Sequence, residues 1–372
     1  MMVTEGLQIK KWLELLAEEL NKAGGLVIKG QKYNIEVISY DDKYSADEGR
    51  ACAERLVYQD KIKYILCQWS SAPIVATVAV ADPNKVLVLC DGVTEKTMDP
   101  KFNYVFRTVS MLWNNIGLTS ACADVAKDKG CQTALLINPD DETGHYNSAN
   151  MKQTYQKLGL TVVDELFWKR DVTDYSPFAT KIKSINPDYV DTGATPSGAP
   201  TLLLAKALYE SGYEGLVFYQ GLAGTWQEIA DKVSPKAIEG AIGGLKDPRD
   251  YVTDPAILKL CDVYEKKHGV LETDACYIMG GWFFFIEAVK KADSLEPDDI
   301  AAAMQNLEVM TLAGKSRMVP RPDLGITRTM DSVRENALGM AKDGKFQLHK
   351  PISIDTTIAA TINVMGWEQY YK

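Results

Sequence analysis

Histidine is scarce in this 372-residue chain, with only three copies, His145, His268 and His349. They stand far apart, none in HExxH or another short His/carboxylate spacing, so no metal ligand set can be drawn. Phosphate-binding signatures are missing as well. There is no GxxxxGK[ST], no GxGxxG following a strand and no GxSxG elbow, which removes the common nucleotide-binding and hydrolase readings. The seven cysteines (Cys52, Cys67, Cys90, Cys122, Cys131, Cys261, Cys276) never fall in CxxC spacing. That argues against a zinc knuckle or a disulfide-dense framework. They read as small core residues, with Cys52/Cys67 and Cys122/Cys131 the pairs nearest in sequence. Positive charge is in deficit: 41 Lys and Arg against 50 Asp and Glu give a formal net charge of −9. An electrostatic case for nucleic acid or an anionic membrane surface has no footing. The longest apolar runs, Ile74 to Ala81 and Trp282 to Ile286, are far short of the roughly 18 residues that span a bilayer, so no membrane insertion is expected. The pattern of a signal peptide is not seen at the start, which fits a mature or trimmed secreted chain.

What is present is an ordinary globular composition, 46% hydrophobic and 24% charged, in about two domains' worth of chain. Apolar residues at helical spacing run from Gly6 to Leu20 and stop at Gly24-Gly25. A strand is then expected over Ile35 to Tyr40, a helix from Ala46 to Tyr58, and a strand from Tyr64 to Cys67. The alternation goes on: a helix behind Pro73 with Ser71 in range to cap it, a strand at Val86 to Leu89, and another near Tyr104 to Thr108. A second cycle opens at Thr133 to Ile137 and runs to Ile238 to Gly243. Helices follow at Pro255 to His268, Ala275 to Ala292 and Pro297 to Gln305, and then a β-rich stretch after Met310. Strands alternating with helices in two successive runs predict an α/β fold of two doubly wound, Rossmann-like lobes. A ligand cleft belongs at the strand carboxyl ends.

The loops there read QWSSAP, DGVTEKT, NPDDETGHYN, GATPSGAP and YQGLAGTW. They are rich in hydroxyls, glycine and aromatics, and hold no obvious catalytic pair. His145, near Asp141, Glu142 and Ser148, is the one acid/base candidate. Ser70 and Ser71 precede a helix whose first N–H groups and partial positive charge suit a ligand carboxylate. Trp69 offers an apolar wall or packs under its loop. Gly92 and Thr94 occupy the next strand end, Thr143 and Thr195 the corresponding loops of the second run. Tyr277 lies early in a later helix, placed either to cover a ligand or to pack in the core.

The order and wording of ELNKAGG, the DD-then-helix passage ending in AERLV, YILCQWSSAP, FRTVS and DYSPFATKIKSINPDYV resemble the periplasmic branched-chain amino acid binding proteins. These are the leucine/isoleucine/valine-binding family of type I solute receptors, and the likeness runs from Gly6 to about Lys350. It implies a type I periplasmic binding protein fold with three interdomain crossovers, near residues 108–114, 243–249 and 318–331, that permit hinge closure. The lobes would be residues 1–110 with 247–320, and 111–246 with 321–372. The resemblance implies a small-molecule ligand, permease subunits of an ABC importer as partners, a periplasmic or extracytoplasmic location and no cofactor.

By the same resemblance Ser70, Gly92 and Thr94 match the groups that hold a ligand carboxylate, while Thr143, Thr195 and Leu222 fall near second-lobe ligand positions. The acidic residue that receives an amino acid's ammonium has no match in YQGLAGTW. A buried ammonium lacking its counter-charge is costly, so an amine-free carboxylate, aromatic or otherwise, is expected, with Trp69 and Tyr277 as apolar walls. Amino acid binding and a regulatory sensor of the amide-receptor type are the alternatives, with an enzyme in the cleft as a third. Such receptors begin with a parallel strand ahead of the first helix, whereas here the helical pattern starts almost at Met1. The expectation is a further segment before Met1, or else a strand from the tail, Ile352 to Met365, filling that place.

Overall fold

The computed structural model describes residues 3–196, 198–219 and 223–371. The chain opens with α1 (Val3–Lys22), whose apolar stripe buries Trp12, Leu15 and Leu16. A short antiparallel hairpin, β1 (Leu26–Ile28) and β2 (Gln31–Tyr33), follows. Then come α2 (Ala46–Glu54), β3 (Tyr64–Trp69), α3 (Ser71–Ala81), β4 (Leu87–Asp91) and β5 (Val105–Arg107). The next stretch holds α4 (Met111–Asp128), β6 (Thr133–Pro139), α5 (Glu142–Lys157), β7 (Thr161–Trp168) and α6 (Ser176–Ile185). It continues through β8 (Tyr189–Asp191), α7 (Ala199–Glu210), β9 (Leu216–Tyr219), α8 (Ala223–Lys232) and β10 (Ile242–Gly244). Three helices, α9 (Pro255–His268), α10 (Gly280–Ala292) and α11 (Pro297–Ala303), precede β11 (Glu308–Thr311), β12 (Gly314–Val319) and β13 (Asp331–Arg334). The chain closes on β14 (Asn336–Lys342), β15 (Lys345–Ile352) and α12 (Ile354–Met365).

These elements divide into two compact units. Unit 1 takes the chain up to Ser110 and then Val252–Arg334; unit 2 takes Met111–Tyr251 and the chain from Glu335 onward. The last passage falls later than residue 320, where the sequence suggested it, because β13 pairs antiparallel with β12 and keeps residues 331–334 in unit 1.

In unit 1, β3, β4 and β5 form a parallel sheet with Trp69 opposite Asp91. Every residue of β4 is buried, as expected of an inner parallel strand covered on both faces. A bulge at Cys67, where φ is +58°, re-aims the last residues of β3. On α1, Trp12 stacks on Tyr264 of α9 at 4.1 Å and donates Nε1 to Glu272 O at 3.0 Å.

The segment Ile35–Tyr40 departs from expectation. Its side chains alternate, but no ladder pairs it among the described residues, and β3 pairs only with β4. Asn21 supplies what a neighbouring strand would: its Oδ1 accepts the Ile35 N–H and its Nδ2 donates to the Ile35 carbonyl, both at 2.8 Å. Alternation signals one buried face but cannot create the partner that a strand requires. Nor does the tail provide one, since residues 354–365 are helix α12 and β15 pairs with β14, all in unit 2.

Unit 2 carries a seven-stranded sheet in the order β15-β14-β10-β9-β8-β6-β7, parallel from β10 to β7 and antiparallel at β14 and β15. Alternate residues of β6 separate cleanly. Leu135 and Ile137 join one core with Leu204, Leu208 and Trp226, while Ala134 and Leu136 join the other with Tyr155 and Phe218. Period-two alternation with both faces apolar is the mark of a covered inner strand. All seven cysteines are free thiols, five of them buried.

Candidate functional site

Unit 1 gathers its polar loops at the carboxyl ends of β3, β4 and β5. Ser70 stands between β3 and α3 with φ +88° and ψ 128°, a conformation that L side chains rarely adopt. Its residue is 7% exposed, and its hydroxyl makes no hydrogen bond among the described residues. A residue strained in this way at the start of an 11-residue helix is costly unless the position has a task. Pro73 leaves this helix one N–H fewer in its first turn, and the Ser70 carbonyl accepts the Ile74 N–H at 3.2 Å.

The role given to Ser71 is corrected. It is the first residue of α3 rather than its cap, and its Oγ reaches across to the next loop, accepting the N–H of Val93 at 3.0 Å and of Thr94 at 3.2 Å. That hydroxyl ties the loops after β3 and β4 together. Gly92 is required by packing, since a Cβ there would sit 2.6 Å from Thr97 Cγ2. Thr94 caps a short 3-10 turn, its Oγ1 accepting the Lys96 N–H at 3.4 Å. The carbonyls of Gly92 and Val93 accept from Arg107 Nη1 at 3.1 and 3.4 Å.

Aromatic walls flank these donors. Trp69 meets Tyr44 edge to face at 6.1 Å between centroids. Tyr44 belongs to a loop in which Lys43 and Tyr44 both have positive φ, held by Asp41 Oδ1 on the Lys43 N–H and Asp42 Oδ1 on the Tyr44 N–H. Tyr277 lies in the turn before α10 rather than within a helix, because α10 starts only at Gly280. Burial, and then the nearby Asp91 carboxylate, push its phenol well above the ordinary tyrosine range. The Arg334 guanidinium lies 5.9 Å from its ring centroid.

Unit 2 builds its own loop cluster after β6 and β8. Thr143 is half-buried in the first turn of α5, which Asp141 caps by accepting the Gly144 N–H at 2.9 Å. Thr195 is fully buried and donates its hydroxyl to Thr192 O at 2.6 Å, so it braces its own turn rather than presenting a free donor. Gly193 adopts φ +51°, and a Cβ there would fall 2.0 Å from Asn138 Oδ1, so only glycine fits. Asn138 Oδ1 accepts the Ala194 N–H at 2.9 Å, and Asp191 Oδ1 accepts the Gly193 N–H at 2.8 Å. The amide nitrogens of Asn138 and Asn147 are buried with no partner among the described residues. His145 is exposed and bonds Asp140 at 2.9 Å while its ring lies 4.2 Å from Phe167, a surface pair. Leu222 lies outside the described residues.

The sequence analysis gave neither Tyr44, which follows the Asp41-Asp42 pair, nor Arg107 of FRTVS a task. A readable signal existed for Arg107, because an arginine inside an otherwise apolar strand must be paired. Among the described residues no group of three or more His, Cys, Asp or Glu is placed to hold a metal, and no helix is long and apolar enough to cross a membrane.

Comparison with known proteins adds four matches. A family model described as periplasmic binding protein matches residues 6–338. A curated relative, Leu/Ile/Val-binding protein homolog 3 of Brucella melitensis, is 27% identical over 223 residues, 59% of this chain and 58% of that protein, so the match spans less than two thirds of its length. The leucine binding protein LivK of Thermotoga maritima superposes with a TM-score of 0.75 at 17% identity, covering 95% of this chain and 96% of that one. A solute binding protein of an ABC transporter from Rhodopseudomonas palustris, solved with 3,4-dihydroxy benzoic acid, gives 0.74 at 20% identity over 94% and 93%. At these identities the two structures carry the fold, that of type I periplasmic binding proteins.

Proposed function

Since the chain belongs to the periplasmic binding protein family, we propose that it is the extracytoplasmic solute receptor of an ABC importer, taking a small ligand through a carboxylate. It delivers that ligand to permease subunits unchanged and needs no cofactor. The observation that carries the reading is Ser70: a strained residue at the amino end of α3 whose hydroxyl makes no hydrogen bond among the described residues and is left available to a ligand. A helix amino terminus with a spare hydroxyl is a ready seat for an anion. Thr94, tied to the same place by Ser71, is the second hydroxyl.

For the rest of the ligand we favour an aromatic or other organic acid without an amine. Trp69, Tyr44 and Tyr277 supply ring surface in unit 1. The sequence after β9, YQGLAGTW, offers no carboxylate for an ammonium, whose burial unpaired costs several kcal/mol. The relative solved with a dihydroxybenzoic acid agrees with this reading. Binding of leucine or a similar amino acid is the second reading, favoured by the names of the other two relatives.

A thermal-shift panel pairing leucine and phenylalanine with benzoate, hydroxybenzoates and phenylpropionate tests the choice. A ligand at 100 times its Kd stabilises by about 2.7 kcal/mol. Stabilisation by the amine-free acids alone is expected; stabilisation by leucine or phenylalanine instead would overturn the ligand class, and a response to none of them would remove the carboxylate reading.

A further inference from the structure

Resting on the reading that the Gly92–Thr94 loop receives the ligand's carboxylate, we infer that the ion network of buried Arg107, Asp331 and Arg321 with the partly exposed Glu95 is a positioning device for that loop. Arg107 is fully buried, and its donors divide between two tasks. Nε donates to Asp331 Oδ1 at 2.9 Å and Nη2 to Asp331 Oδ2, a two-pronged pair. Nη1 is spent on the carbonyls of Gly92 and Val93. Neutralising Asp331 needs only the first task. An apolar replacement of a buried pair serves stability as well or better, so retention of the pair points to the second task. Two consecutive peptide carbonyls held by one rigid guanidinium fix the planes of the loop.

The opposite side of the same loop is held independently. The amides of Val93 and Thr94 point to Ser71 Oγ. The loop is thus clamped through its carbonyls from below and its amides from the side. Such preorganisation lowers the ordering cost of binding.

The network extends along the chain from that clamp. Arg321 Nη1 joins Asp331 Oδ2 at 2.9 Å to Glu95 Oε2 at 3.3 Å, and Glu95 directly follows Thr94. Asp323 takes the other Arg321 donors at 2.9 Å. Ser110 Oγ donates to Asp331 Oδ2 at 2.9 Å. Two guanidiniums face three carboxylates, so the cluster has no surplus positive charge with which to attract an anion. It acts by placing the loop.

Hydrogen exchange and a benzoate titration on the full chain test this. Arg107→Lys keeps the charge but loses the fork, and Glu95→Gln removes the negative charge that faces Arg321 Nη1 at 3.3 Å and Arg107 Nη2 at 3.6 Å; neither strips Asp331 of all its cations. In both, the amides of residues 93–97 are expected to exchange about tenfold faster while those of β6 stay unchanged, and benzoate affinity is expected to fall about tenfold. Unchanged exchange at 93–97, or equal acceleration throughout β4 and β5, overturns the positioning role, as does unaltered benzoate affinity in Arg107→Lys. The outcomes are separable: a wild-type protein that binds neither benzoate nor any acid of the panel defeats the carboxylate reading, whereas the exchange data judge the clamp regardless.

Discussion

At the scale of single residues, Ser70 shows how a function leaves a trace in stability. A positive φ at a residue with a Cβ costs about 1–3 kcal/mol, and glycine relieves it at an entropic cost of roughly 0.5–1 kcal/mol. Ser70→Gly is therefore expected to leave the unliganded melting temperature unchanged or raise it slightly, while carboxylate affinity drops at least tenfold for want of the hydroxyl. Calorimetry of both proteins with and without ligand checks this; a variant that melts several degrees lower, or that binds as before, would contradict the assignment. Asp191 makes the comparable case in unit 2. Burial pushes its carboxyl up to about 6 against the opposing donors Tyr155, Gly193 and Tyr189, and among the described residues no cation pairs with it. The residues under the loop are held by a group that would rather be neutral.

Among elements, the contrast lies between β4 and the segment Ile35–Tyr40. β4 has a strand on both sides, whereas among the described residues 35–40 has none and is held only at Ile35 by the Asn21 side chain. Amides of residues 36–40 should exchange orders of magnitude faster than those of β4, because local opening there breaks no ladder; equal protection would mean a partner strand that the described residues do not include. The same contrast explains what could be read beforehand. The rhythm of apolar runs and breakers places most helices and strands within a few residues, since burial of one face is written into the order of side chains. What periodicity cannot write is the identity of a neighbour. Ile35–Tyr40 alternates as a strand should and still lacks one, and Ser71 has the position of a cap yet serves a loop 22 residues on. Around the site, Ser70 and Thr94 were legible as hydroxyls at strand ends. Arg107 and Tyr44 were not, because their tasks depend on Asp331 and Trp69, residues distant or in another loop.

For the whole molecule, the two units are built to respond to pH with opposite sign. In unit 2, Asp191 has a folded pKa raised above its unfolded value, so the stability it confers is full below about 4 and is lost as pH rises through about 6. The amount is on the order of 3 kcal/mol. In unit 1, burial works against Asp331, but the Arg107 and Arg321 guanidiniums and the Ser110 hydroxyl overcome it and hold its carboxyl below the usual range. Its contribution is present above the unfolded pKa and is lost as pH falls through the lower folded one. Exchange or calorimetry resolved by unit, from pH 7.5 down to 3.5, is expected to show unit 2 gaining stability toward pH 5 while unit 1 holds level and then weakens. Asp191→Asn should abolish the gain and stabilise unit 2 at pH 7.5; an unchanged pH profile in that variant would assign the titration elsewhere. The chain leaves and re-enters each unit, and this interleaving also governs the order of events during synthesis. Unit 1 is incomplete until β13 has been made, and the sheet of unit 2 waits for β14 and β15, within the last tenth or so of the chain. Neither unit can close on a nascent chain before those strands have emerged, so the two finish folding almost together, and until then the apolar strands β4 and β6 stand open to whatever chaperone or channel holds them.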